Sequence, residues 1–291
     1  MLNSLAFTSL DKVSTTLQSI YQLRSNKIHK FKPKVEIYAE VGPFVLKTVT
    51  NVQELKEALK LRYQVFHREM IGREKSNGID VDAYDFNCDH LIIVEKRTNQ
   101  IVGTYRLNCS LFSNDFYSAQ EFNLKRILDQ PGVKLELGRA CIHKNYRRGM
   151  VISLLWKGIG DYMAATNAQV MFGCASIKTA KPREAAMLYR NFLDDGRFTP
   201  EYFAPPTKSF TMPNLDLWIK HFKSPLTESE KIEVKELIPP LCRTYLKVGA
   251  FLGGEPAWDV EFKCIDFLTI LHREDLNRTL WKRFKLDSEQ S

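Results

Sequence analysis

The sequence predicts an α/β fold, a mixed sheet flanked by helices, and three observations carry that prediction. Two alternating apolar segments, residues 90–94 and 101–107, are joined by Lys96-Arg97-Thr98-Asn99-Gln100, which is hairpin length. A strand-like run, Leu135-Glu136-Leu137-Gly138-Arg139-Ala140-Cys141-Ile142, precedes Tyr146-Arg147-Arg148-Gly149-Met150, then a helix-period run over 151–163 and a buried-type strand over 170–175. The composition, 44% hydrophobic and 26% charged over 291 residues, is ordinary for a globular chain and excludes wholesale disorder. Hairpins first and strand-helix-strand afterwards give both antiparallel and parallel neighbours, hence a mixed sheet.

The elements follow in chain order. Leu10, Val13, Leu17 and Ile20 recur at helical spacing, followed by Arg24, Lys27, Lys30, Lys32 and Lys34. Residues 1–40 therefore read as an N-terminal extension that is either an interfacial amphipathic helix with a basic neighbour or a terminal helix packed on its own domain. A strand is predicted over 43–49. Asn51-Val52-Gln53-Glu54 reads as a capping box opening a helix to about residue 69. Residues 72–85 form a polar, acidic loop, and a short amphipathic piece lies at 124–128. Pro205-Pro206 and residues 223–231 read as connections, followed by a helix over 240–252, a Gly253-Gly254-Glu255-Pro256 turn and a strand over 264–271.

Composition narrows function. A net charge of +8 and a pI near 9.1 favour acidic partners. Interleaved aromatic and basic residues of the kind that stack bases are not apparent, so no nucleic-acid partner is expected. Six cysteines without a Cys-x-x-Cys pair suit a reducing, cytoplasmic setting, and six scattered histidines offer no metal-ligand pattern, so no metal is expected. No run approaches the roughly 20 apolar residues of a membrane span, and the start is a poor signal peptide.

The chemistry concentrates at 135–150. An alternating strand carrying Glu136 and Arg139, feeding an arginine-glycine turn that opens a helix, can hold a phosphate beside an acid/base group. Glu136 is either a general base for an amine or a buried acid paired with Arg106 or Arg139. In a regular strand Arg139 projects to the opposite face from Glu136, and a bulge near Gly138 would bring both to one face. Lys144, Arg147, Arg148 and Lys157 form a basic patch at the predicted loop. Cys141 and Cys174 lack a His and orienting group at motif spacing, so direct attack by the amine is expected rather than an acyl-enzyme.

Leu61-Arg62-Tyr63-Gln64-Val65-Phe66 with Glu69, the acidic loop through Asp85 and Asp89, Ile101-Val102-Gly103-Thr104-Tyr105-Arg106-Leu107, and Leu135-Glu136-Leu137-Gly138-Arg139 resemble the GNAT-type N-acyltransferases that use long-chain acyl donors, a skeleton shared by acyl-homoserine lactone synthases. Phe116-Tyr117-Ser118-Ala119-Gln120-Glu121-Phe122, Met171-Phe172-Gly173-Cys174-Ala175-Ser176 and Gly253-Gly254-Glu255-Pro256-Ala257-Trp258-Asp259 are similar to the L-ornithine N-alpha-acyltransferase branch. The resemblance covers residues 48–284. The usual phosphate loop of GNAT proteins departs here, with Tyr146 at its first position and Val151 at its last, so the loop assignment rests on Arg147, Arg148 and Gly149.

The resemblance implies a GNAT-like (acyl-CoA N-acyltransferase) domain over 41–291, with a family-specific C-terminal region from about 203 that completes the fold and an acyl tunnel. It implies transfer of a long-chain 3-hydroxyacyl group to the α-amine of an amino acid, ornithine first, giving lyso-ornithine lipid. No permanently bound cofactor is expected; the donor is the 4'-phosphopantetheine thioester of acyl carrier protein, or coenzyme A. Glu136 and Arg139 are the implied catalytic pair. Backbone N–H groups of Ala140, Cys141 and Ile142 would bind the thioester oxygen, and Phe66, Asp85, Asp89 and Arg106 the acceptor. Asp85, Asp89 and Arg106 read equally as an ion network tying the acidic loop to the sheet. The implied partners are acyl carrier protein, the amino acid, and the inner membrane through peripheral contact. Rival readings are another amine acceptor, such as glycine, tyrosine or a homoserine-type compound, and a non-catalytic membrane binder.

Overall fold

The computed structural model describes residues 31–72, 77–147, 149–222 and 225–275. The predicted N-terminal helix at 10–20 and Arg148 lie outside the described residues. Two compact units are built from interleaved stretches, one from residues up to Asn108 with Arg139–Ala165, the other from Cys109–Gly138 and from Thr166 onward.

In the first unit, β1 (Tyr38–Val41), β2 (Phe44–Thr48), β3 (Asp89–Glu95) and β4 (Gln100–Cys109) pair consecutively and antiparallel, and the C-terminal half of β5 (Val133–Ile142) follows β4. The β3–β4 hairpin is the one its polar five-residue linker predicts. Helix α1 (Val52–Arg62) starts where Asn51 Oδ1 accepts the Glu54 N–H at 3.0 Å, but only half of the predicted box forms, because the Glu54 carboxylate takes the Thr50 N–H and the Lys47 ammonium instead. The helix continues as a wider π-helical stretch, Tyr63–Ile71, ended by Gly72. Apolar residues of α1 and β3, among them Leu55, Leu59 and Ile92, form the core there. Helix α3 (Met150–Thr166) completes this unit.

The second unit holds the N-terminal half of β5 and then β6 (Ala168–Ile177), β9 (Cys264–His272) and β7 (Phe251–Leu252) in that order, with β8 (Ala257–Asp259) also on β9. Only β5 and β6 pair in parallel, so the mixed sheet is as expected. Helix α2 (Lys125–Leu128) forms at the predicted amphipathic piece. Four helices follow: α4 (Pro182–Asp194), α5 (Leu215–His221), α6 (Glu228–Leu237) and α7 (Pro240–Lys247).

Three expectations are corrected here. The stretch 223–231 is not all connection, because Thr227 and Glu230 form a complete capping box that starts α6. The helix predicted over 240–252 stops at Lys247; Gly249 takes φ +102 and the chain then joins the sheet as β7. Helix α4 goes unread in the sequence, although Pro182 at its first turn and buried Ala185, Leu188 and Phe192 mark it.

One close backbone approach in the second unit lies beside Glu136. The β5–β6 ladder ends at Glu136–Phe172. At the next position, a Cβ on Gly173 would stand 2.1 Å from the Leu137 carbonyl oxygen, so only glycine admits the backbone of β5 there. We expect Gly173→Ala to cost about 1–3 kcal/mol through overpacking. Urea unfolding of both proteins measures it; unchanged stability would show that the close approach does not exist.

Candidate functional site

Glu136 lies in the middle of β5 and is 4% exposed. Its position is set by a chain of contacts within the second unit. It stands opposite Phe172 across the ladder, and directly opposite residues share a sheet face. Phe116 packs edge-on against Phe172, with ring centroids 5.1 Å apart. The residues after Phe116 turn into a short 3₁₀ segment, Tyr117–Gln120, whose first N–H groups have no partner inside the turn. These reach Glu136: Tyr117 N–H donates to Oε2 at 3.0 Å and Ser118 N–H to Oε1 at 2.7 Å. Main-chain donors thus hold both carboxylate oxygens.

The same face of this sheet packs an apolar cluster of Phe116, Phe122, Val170, Phe172, Leu268 and Ile270, with further buried acids beside it. Cys174, two residues beyond Phe172, donates its thiol to Ser118 Oγ at 3.4 Å. Burial pushes that thiol well above its ordinary range, and Glu121, Asp266 and Glu136 push it further. Asp266 accepts from Ser176 Oγ at 2.5 Å and from the Cys264 thiol at 3.5 Å. Asp259 and Cys264 stand beside it, the ligand atoms of these three residues lying within 4.8 Å of one another. Glu121, Glu136, Asp259 and Asp266 are thus four buried carboxylates set around that apolar cluster.

The first unit carries a second constellation, a closed ring of alternating charges. Arg62 bonds Asp80 (2.7 Å) and Asp85 (2.6 Å); Arg106 bonds Asp85 (3.0 Å) and Asp82 (2.6 Å); Arg139 bonds Asp82 (3.0 Å) and lies 3.6 Å from Asp80. Three cations meet three anions, which is what makes burial of six charged groups tolerable. Arg139 enters the ring through a left-handed backbone, φ +52, which breaks the regular alternation of β5. Asp85 also accepts the Asp82 N–H at 2.8 Å, which fixes the acidic loop to the ring. The guanidiniums hold Asp80 and Asp82 well below the usual carboxylate range against the opposing effect of burial. Arg62 and Asp85 are sealed, at 1% and 0% side-chain exposure, whereas Asp82 keeps 23% and Arg139 15%, so a guest reaches the ring only at that end.

Two predicted acceptor residues stand elsewhere. Asp89 is not in the ring: it accepts Lys34 N–H at 2.9 Å, Val35 N–H at 3.1 Å and the Tyr162 hydroxyl at 2.9 Å, strapping the segment before β1 and helix α3 to β3. Phe66 packs against the apolar core formed with α1 and β3. Arg62, Asp80 and Asp82 were missed, although all lie in segments the sequence marks as motif or acidic loop.

At the predicted phosphate loop, Gly149 takes φ +138 with open space around it, immediately before α3. Arg147 does not extend freely: its guanidinium donates to Ile142 O at 3.0 Å and meets Glu69 at 2.5 Å. Lys157 is paired with Asp161 at 2.7 Å, which removes it from the basic patch. Burial pushes the Cys141 thiol up to about 12, which leaves no thiolate for covalent catalysis at neutral pH.

Comparison with known proteins gives three findings. Residues 61–157 match the family model described as an acetyltransferase (GNAT) domain. An L-ornithine N(alpha)-acyltransferase of Agrobacterium fabrum is 30% identical over 256 residues, covering 81% of this chain and 83% of the relative. One of Brucella abortus is 31% identical, covering 83% and 88%. Among solved structures, TofI in a ternary complex aligns at 13% identity over 87% of this chain and 97% of that one, with a TM-score of 0.45. The CoA-dependent acyl-homoserine lactone synthase BjaI aligns at 15% over 81% and 84%, with a TM-score of 0.43.

Two outcomes are expected from the ring. Arg62→Leu strands Asp80 and Asp85, and about 3–5 kcal/mol of stability should be lost in urea unfolding at neutral pH; a loss below about 1 kcal/mol would show the ring to be energetically idle. His90, fully buried beside Asp85 with its Nε2 2.8 Å from the Asp85 carbonyl oxygen, is held down to about 4, chiefly by burial. A histidine depressed in the fold stabilises it above its unfolded value near 6.5 and loses that stabilisation as pH falls to about 4. Stability should therefore drop by about 3 kcal/mol across this window, and the drop should shrink in His90→Gln; a flat profile from pH 7 to pH 4.5 would contradict it.

Proposed function

The chain belongs to the L-ornithine N(alpha)-acyltransferase family, and from that premise we propose that it moves a long-chain 3-hydroxyacyl group from the pantetheine thioester of acyl carrier protein to the α-amine of L-ornithine, giving lyso-ornithine lipid. The observation that carries the mechanism is Glu136, a carboxylate held by two main-chain donors at the last rung of the β5–β6 ladder.

Only a neutral amine attacks a thioester, so the α-ammonium first gives a proton to Glu136, directly or through water. The nitrogen then bonds to the thioester carbon and the tetrahedral adduct collapses with cleavage of the C–S bond. The second nitrogen proton goes to the departing sulfur, which leaves as the pantetheine thiol, and the product is an amide. The main-chain donors hold Glu136 at a fixed position on β5. The choice of ornithine over glycine or tyrosine as acceptor is supported by the relatives named above.

Further along β5, the N–H groups of Ala140, Cys141 and Ile142 are assigned in this proposal to the thioester oxygen. The turn at Arg147, Arg148 and Gly149 is assigned to the pantetheine phosphate, with Arg147 exchanging Glu69 for the anion. Within the first unit, Arg106, Asp82, Asp85 and Arg139 form a preorganised ring whose Asp82–Arg139 end offers opposite charges to a polar guest. Among the described residues no helix is long and apolar enough to cross a membrane. An amphiphilic product places the enzyme peripherally at the inner membrane face.

The test uses the purified protein with ornithine, glycine or tyrosine and with acyl carrier protein or coenzyme A donors, read by mass spectrometry of the products. N-acylornithine from the carrier-protein donor is expected, and absence of any N-acyl amino acid would overturn the reading. In Glu136→Gln, kcat should fall by roughly 10²- to 10⁴-fold with the circular dichroism spectrum retained; a folded variant turning over at the native rate would remove Glu136 from the mechanism.

A further inference from the structure

The ring of charges in the first unit has one uneven joint. Five of its contacts measure between 2.6 and 3.0 Å, and the sixth, from Arg139 Nε to Asp80 Oδ2, measures 3.6 Å. Asp80 gives that same oxygen to Arg62, whose Nε donates to it at 2.8 Å. Its other oxygen, Oδ1, belongs to His67, whose Nε2 lies 3.0 Å away. The guanidiniums keep Asp80 a carboxylate, which only accepts, so Nε2 carries the hydrogen and donates it. Asp82 differs: it gives one oxygen to Arg106 and the other to Arg139.

The backbone delivers His67 to this place. Arg62 ends α1, and His67 follows five residues later in the π-helical stretch, where the Gly72 N–H donates to His67 O in the i→i+5 pattern. Five residues of an α-helix make about 1.4 turns, which would carry position 67 away from the side of Arg62. The wider coil brings both side chains to one carboxylate. The Tyr63 ring stacks on the buried imidazole, with centroids 5.6 Å apart and planes 28° apart, and fixes its orientation.

We infer that His67 is a positioning residue for Arg139: by holding Asp80 Oδ1 it keeps Asp80 from closing on that guanidinium, which can then turn to the carboxylate of the amino-acid acceptor. This rests on the acyl transfer, and on the accessible Asp82–Arg139 end of the ring, proposed above. Asp82 is the firm partner of Arg139, at 3.0 Å. The Asp80 contact is longer than a hydrogen bond, so a guest carboxylate displaces little when it takes that side. Without the imidazole, Asp80 has one oxygen for each guanidinium. Arg139 is then clamped between two carboxylates, and a guest must break a close ion pair to reach it.

The experiment measures kcat and KM for ornithine with the full-length protein and saturating acyl carrier protein donor. Alongside it, ornithinamide, which keeps both amines and lacks the carboxylate, is measured by its Ki as a competitor. His67→Phe keeps a ring against Tyr63 and loses the donor. Its KM for ornithine should rise about tenfold, the worth of one charge-assisted hydrogen bond, while kcat holds. The Ki of ornithinamide should not move. His67→Gln, whose amide still donates to Asp80, should restore the native KM. If His67→Phe does not fold, His67→Asn decides, because its amide falls short of Asp80 and KM should rise in the same way. A folded variant with the native KM for ornithine, or equal changes for ornithine and ornithinamide, overturns the inference and leaves the reaction intact. A native protein that acylates no ornithine removes both.

Discussion

The end of the parallel ladder between β5 and β6 is the constraint on which the second unit depends. Up to Glu136 and Phe172 the two strands are a regular pair. One residue later the Leu137 carbonyl stands where a side chain at position 173 would be, and the ladder ends. A sheet normally separates its two faces completely, because backbone hydrogen bonds close every gap. Where the ladder stops, Glu136 stands on its last rung, between a packed apolar cluster and other buried acids.

Glu136 sits at this boundary because its neighbours over-determine it. The Phe116 ring locks against Phe172, and the turn that follows delivers two N–H groups to the carboxylate. A carboxylate buried in mid-strand without such donors would cost several kcal/mol. The ring of Arg62, Arg106 and Arg139 with Asp80, Asp82 and Asp85 solves the same problem in the first unit by a different route, pairing each charge twice. Its stiffness comes from closure: moving any member leaves two partners exposed to the low dielectric of the interior.

Much of this was legible in the amino-acid sequence. The β3–β4 hairpin, the strand carrying Glu136, helix α3 and β6 announce themselves by period and by turn residues, and the separated motifs identify the family. Side-chain partners were less legible. Arg106 and Asp85 do meet, but Asp89, four residues from Asp85, straps Lys34, Val35 and Tyr162, because strand alternation and a turn send it to another neighbour. Arg139 joins the charge ring through a positive φ that no propensity rule assigns to arginine. Arg147 reads as an anion ligand from its place before a glycine, yet Glu69, far away in sequence, holds it. Helix α4 went unread although Pro182 in its first turn and the apolar Ala185, Leu188 and Phe192 mark it.

The most direct test of the account is a crystal structure with a non-hydrolysable thioether analogue of the long-chain acyl pantetheine donor. The account predicts the carbon that mimics the carbonyl within reach of the Glu136 carboxylate, directly or through one water. A carbonyl position out of reach of Glu136 would contradict it.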